Sequence, residues 1–112
     1  MTISTTTLKN AARAIECDLW TDSDGANYLA KDGAILRRWE PADSDGDSFG
    51  LMTKLRLDVG YFPGFAEVHV SDERGDKIFI AKYTDDIAHD TRLAIVECAA
   101  YIGAAIYSPE NP

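Results

Sequence analysis

The run DSDGD places Asp43, Asp45 and Asp47 at alternating positions, the spacing with which calcium loops surround a hard cation by oxygen ligands. The remainder of such a loop is missing. Ser48 stands where a glycine would make the sharp turn, and Lys54 where a bidentate glutamate would close the shell. The run therefore reads as a helix cap: Asp43 or Ser44 accepts free amide protons, while Asp45 and Asp47 favour the positive end of the helix. Asp22 and Asp24 fail the same test, because Ala26, Asn27 and Gly33 occupy the later ligand positions. No metal and no cofactor is expected.

Arg37, Arg38, Trp39 and Tyr28 combine cations with aromatic faces, a chemistry suited to stacking on a base or anchoring a partner protein, and Arg92 adds a further cation for an anionic ligand. These five are the candidate binding residues. For Trp39 the competing role is core, since a tryptophan in so small a hairpin is more often buried than exposed. His69 alternates onto the outer side of a strand and His89 lies off the apolar stripe of a helix, so neither forms a catalytic pattern with a carboxylate or cysteine. Arg74, Gly75 and Asp76 spell a cell-adhesion triplet, but a glycine beside an aspartate between two strands is also an ordinary hairpin tip. Nucleophile elbow, phosphate loop and dinucleotide fingerprint are all missing, so no catalytic residue is assigned and an enzyme is not expected. The weakest alternative, a metal-dependent hydrolase or nuclease, would use Asp43, Asp45 and Asp47 as ligands.

At 112 residues the chain fits one domain, residues 1–112, with composition close to the globular average. The net charge of -8 repels polyphosphate, which excludes ordinary DNA or RNA binding and leaves either solubility or imitation of a nucleic-acid surface presented to a basic host protein. No apolar run approaches the roughly 20 residues needed to cross a bilayer, and the N-terminus lacks the basic-then-apolar order of a secretory signal. A cytoplasmic setting without membrane contact is expected. Cys17 and Cys98, with no metal spacing, read as reduced packing thiols.

Positioning these groups requires a frame. Ser4 to Thr7 can cap a helix over residues 4–20, with Leu8, Ala12, Ile15 and Leu19 at helical spacing, before the turn TDSDGAN. A hairpin follows, turning at Asp32 and Gly33, then the capped helix carrying Leu51, Met52 and Leu55. Leu55, Leu57 and Val59 also alternate and could start a strand. Ala66, Val68 and Val70, the turn DERGD and KIFIAKY make a second hairpin. Asp85 or Asp86 caps a last helix with Ile87, Thr91, Ala94, Ile95, Cys98, Ile102, Ala105 and Ile106 along one stripe. Ala99, Ala100, Gly103 and Ala104 on its flank let another backbone approach, from this chain or a second copy, and Pro109 and Pro112 close a frayed tail. The expected fold class is α+β, order α-β-β-α-β-β-α, an antiparallel sheet of about four strands in a helix-sheet-helix sandwich, with no internal repeat of roughly 20 to 50 residues.

The series RWEPADSDGDSFGLMTKLRLDV and DTRLAIVECAAYIG resembles a family of small uncharacterised phage and prophage proteins of the ABA-sandwich type. The resemblance covers about two thirds of the chain. It rests on Trp39 and Pro41 before the Asp45-Gly46-Asp47 cap, on Leu51 and Leu55, and on Arg92, Ala94, Ile95, Ala99, Ala100 and Gly103. It implies a helix-sheet-helix sandwich and a phage or prophage origin, and it implies no activity. The leading expectation is a non-enzymatic accessory protein that binds a host protein, with host takeover or anti-defence as its setting. The alternatives are an oligomeric sponge holding a small signalling nucleotide through Arg37, Arg38, Arg92 and aromatic faces, and an acidic nucleic-acid mimic.

Overall fold

In the computed structural model, which describes residues 3–75 and 77–106, the chain runs through three helices and six strands. Helix α1 (Thr5–Ala14) leads into β1 (Asp18–Thr21), β2 (Asn27–Lys31) and β3 (Ala34–Arg38). Helix α2 (Asp45–Lys54) leads into β4 (Asp58–Phe62), β5 (Glu67–Ser71) and β6 (Ile78–Lys82), with a 3-10 turn at Pro63–Phe65, and α3 (Ile87–Ile106) closes the described chain. The α+β class stands. The expected single sheet of four strands does not: each run of three strands forms its own antiparallel meander, in the orders β1-β2-β3 and β4-β5-β6.

The two additional strands arise where α1 and α2 end. At the end of α1, Glu16 adopts a left-handed conformation (φ 61°), its amide bonding to the Arg13 carbonyl while the Cys17 amide bonds back to Ala12. Arg56 does the same at the end of α2 (φ 54°), with its amide on Thr53 and that of Leu57 on Met52. This is the arrangement that terminates helices and reverses the chain, and it usually falls to glycine. This turn stops α1 at Ala14, so the expected helix over residues 4–20 gives way to β1, and with a non-glycine residue in the turn no glycine marks the stop.

These matching ends belong to a structural repeat, where the sequence pattern predicts none. Ser4 caps α1 by accepting the Thr7 amide, and forty residues on Ser44 caps α2 by accepting that of Asp47. Glu16 and Arg56 keep the same offset, as do the first residues of β1 and β4. The third strand of each meander is followed by the same closing bond, Trp39 amide to Asn27 carbonyl (2.8 Å) and Tyr83 amide to Ala66 carbonyl (2.7 Å). The molecule is two α-β-β-β units in tandem plus one further helix.

That further helix joins the units. Ala94, Ile95, Val96, Cys98, Ala99 and Ala100 of α3 are buried in one cluster with Leu8, Ala11 and Ala12 of α1, Leu29 of β2, Leu51 of α2, Val70 of β5 and Trp39. The closest approach is at Gly103, where a Cβ would lie 1.8 Å from the Asn10 carbonyl oxygen of α1. At Gly103 the small-residue flank of α3 is thus met from within the chain by the α1 backbone at Asn10 and Ala14, while Ala104 on the same flank stays exposed. Burial pushes the Cys98 thiol up to about 11, so it stays protonated and inert at neutral pH. The prolines of the expected tail lie outside the described residues.

One buried polar group is unsatisfied. Ser48 of α2 is 2% exposed and its hydroxyl finds no partner among the described residues. Removing an orphaned hydroxyl relieves a desolvation cost, and alanine is the better helix former. Ser48→Ala is expected to raise stability by about 1 kcal/mol, read as a higher urea midpoint at unchanged slope.

Candidate functional site

The turn between β2 and β3 is built from Asp32 and Gly33, both at positive φ (53° and 81°), as the hairpin reading required. It fixes which side chains share a face. The cross-strand partners run Trp20, Tyr28, Arg38 in one row and Asp18, Ala30, Ile35 in the next. Between those rows the register shifts, and Leu36 is the extra residue on β3. Leu19 and Leu29 form the opposite, inward row with Arg37, and Leu29 belongs to the buried cluster.

The five candidate residues divide along this pattern. Trp39 is 1% exposed and lies in the core, so the competing structural role describes it and it offers no surface to a partner. Arg37 is held by the carboxylate of Asp47 at 2.5 Å. Arg92, from α3, donates to the Ala42 carbonyl at 2.9 Å and to Asp45 at 2.7 Å. The two arginines therefore clamp the first turn of α2 from β3 and from α3. Within DSDGD, Ser44 is the helix cap while Asp45 and Asp47 anchor it to the two arginines, and no group of three metal-ligating side chains occurs among the described residues.

Only Tyr28 and Arg38 remain on the outer face, and the structure adds Trp20 to them. Trp20 is 46% exposed and its ring meets that of Tyr28 at 5.3 Å with a tilt of 56°. Asp22 accepts the amides of Ala26 and Asp24 and the Tyr28 hydroxyl; the Ala26 bond first, and the others with it, hold its carboxyl below the usual range. Glu40 accepts from the amide and side chain of Asn27. Asp24, Asp43 and Arg38 share with these a polar cavity of about 520 Å³ at the end of the sheet. Trp20 was missed because residues 4–20 read as helix; the β-forming pattern of Asp18–Thr21 was the available signal.

The second sheet has its own outer face. His69 lies there as expected, but it is engaged rather than solvated: it bonds Glu67 at 3.0 Å and stacks on Phe62 at 4.2 Å. Glu67 also takes the Lys82 ammonium, and these two bonds, Lys82 first, lower its carboxyl below the usual range. Ile78 and Ile80 complete that face, both more than half exposed. Half-buried His89 lines an apolar cleft of about 510 Å³ between β6 and α3, where the buried Asp90 carboxylate is already taken by the Thr84 amide and hydroxyl. Of the adhesion-like triplet, Gly75 takes a positive φ (72°) in the turn after β5, and Asp76 lies outside the described residues.

Comparison with protein-family models, with curated proteins and with solved structures finds no match to this chain. No described helix is long and apolar enough to cross a membrane.

Proposed function

We propose that this chain is a non-enzymatic accessory protein of phage or prophage origin that works in the host cytoplasm by binding a host protein. The observation that carries this reading is the large apolar side chains left in solvent on the sheets: Trp20, Ile35 and Leu36 on the first, Phe62, Ile78 and Ile80 on the second. Water-facing sheet surfaces ordinarily alternate to polar residues, and a contiguous apolar patch on an otherwise strongly charged protein marks an interaction surface. The resemblance to phage and prophage proteins supports the origin. The nucleotide-sponge alternative would need Arg37 and Arg92 released from Asp47 and Asp45, which hold them in ion pairs.

Affinity capture from bacterial lysate, with the wild-type chain beside two surface variants, tests the reading. One variant is Ile35→Lys with Leu36→Lys, the other Ile78→Lys with Ile80→Lys. A specific protein retained by the wild type and lost with either variant is expected. Recovery of nothing, or of the same proteins by all three, refutes it.

A further inference from the structure

The second sheet and the first differ in what covers their last strand. Strand β6 runs beside α3, and Phe79 of β6 meets Tyr101 of α3 at 5.8 Å. Its counterpart in the repeat, β3, has all five residues exposed, with Ile35 and Leu36 at 51% and 55%. The outer face that β3 shares with β1 and β2 is thus a shallow apolar and aromatic surface of Trp20, Tyr28, Ala30 and Ile35, with Leu36 at its edge.

The charge around that surface is one-sided. Asp18 stands within it, Asp32 sits in the β2–β3 turn, and Asp22, Asp24, Glu40 and Asp43 gather at its far end. Against these six carboxylates stand Lys31 and Arg38, since Arg37 lies on the other face of the sheet, paired with Asp47. Asp22 and Glu40 are engaged in local hydrogen bonds, whereas the carboxylates of Asp18, Asp24 and Asp43 make no side-chain bond or ion pair among the described residues. Exposed tryptophan and tyrosine faces attract cations, and neighbouring carboxylates strengthen the attraction while repelling phosphate.

We propose that this face docks a cationic segment of a partner protein, with Lys or Arg side chains lying on Trp20 and Tyr28 and pairing with Asp24 and Asp43, while an apolar residue of that segment covers Ile35 and Leu36. The proposal rests on the protein-binding reading above and adds which surface is used and the charge of the partner. Steering by opposite charge makes the association faster and tighter at low salt and weaker as salt rises.

The probe is a blocked Lys-Val-Lys-Val-Lys-Val hexapeptide, with Glu-Val-Glu-Val-Glu-Val as its control, titrated into the isotopically labelled full chain and followed by NMR. The cationic peptide is expected to move the Trp20 indole signal and the amides of β1 to β3, and to leave the Trp39 indole signal in place. Trp20→Ala is expected to weaken binding roughly fivefold to tenfold, the range of a partly desolvated cation on an aromatic face. Asp24→Asn with Asp43→Asn, both exposed and remote from the core, is expected to weaken it and flatten its salt dependence. Equal binding of the acidic peptide, no binding of the cationic one, shifts confined to the second sheet, or undiminished binding by both variants overturns the proposal. Should lysate capture depend on Ile78 and Ile80 alone, the protein-binding reading stands and this one falls.

Discussion

Gly103→Ala is expected to lower stability by about 3 kcal/mol or more and to reduce the melting temperature by on the order of 12 °C. The added methyl would fall 1.8 Å from the Asn10 carbonyl oxygen, 2.8 Å from its carbonyl carbon and 3.0 Å from the Ala14 amide nitrogen. All three are backbone atoms of α1, so no side-chain rotation relieves the overlap and the two helices must separate. Replacing glycine inside a helix would otherwise gain up to about 1 kcal/mol in helix propensity. The sign of the result therefore distinguishes a packed crossing from a free helix face. Thermal unfolding followed by circular dichroism measures it, and an unchanged or raised midpoint would mean that α1 and α3 do not meet as described.

For Trp39→Ala the expected loss is about 3–5 kcal/mol, the range for deleting a buried aromatic side chain. Trp39 is among the largest fully buried side chains and joins the chain leaving β3 to the cluster shared by α1, α2, α3 and β5. Its ring fills a volume that the neighbouring alanines cannot collapse to close. The variant should unfold at lower urea than Trp39→Phe, and should lose the blue-shifted part of the tryptophan emission while that of exposed Trp20 remains. Were Trp39 a partner-binding residue on the surface, its removal would leave the urea midpoint where it was.

Much of the frame was legible in the sequence because its signals are local. Ser44 before Asp45 and Asp47 marked the start of α2, Asp32-Gly33 marked the first hairpin, and the alternation of Val68 and Val70 with His69 marked β5. Strands β1 and β4 were hidden for one reason. The turns that precede them place Glu16 and Arg56 in a conformation for which glycine is the usual signal, so along the sequence helical spacing runs on through Leu19 in the first unit and competes with alternation in the second. The repeat is not legible in the sequence because its two halves share geometry rather than side chains: over residues 4–21 and 44–61 only Ser4/Ser44 and Asp18/Asp58 are identical.

The candidate site was less legible than the fold, for a different physical reason. Adjacent residues in a strand point to opposite faces, so the consecutive Arg37, Arg38 and Trp39 that look like one cluster along the chain are sent to three places. What gathers on the outer face comes instead from every second residue of three strands, and its members Trp20, Tyr28 and Ile35 stand far apart in sequence. The arginines were tied up by the same aspartates that suggested a cation loop, a pairing that needs the third dimension to appear.

The place of α3 has a bearing on biosynthesis. Its partner, α1, is synthesised before both sheets and the long helix that buries it after them, so the alanine-rich seam of α1 stays uncovered while the six strands and α2 between them are made. A nascent chain that stalls before Ile87 would present both units without the helix that joins them, the kind of exposed apolar surface that chaperones and proteases recognise.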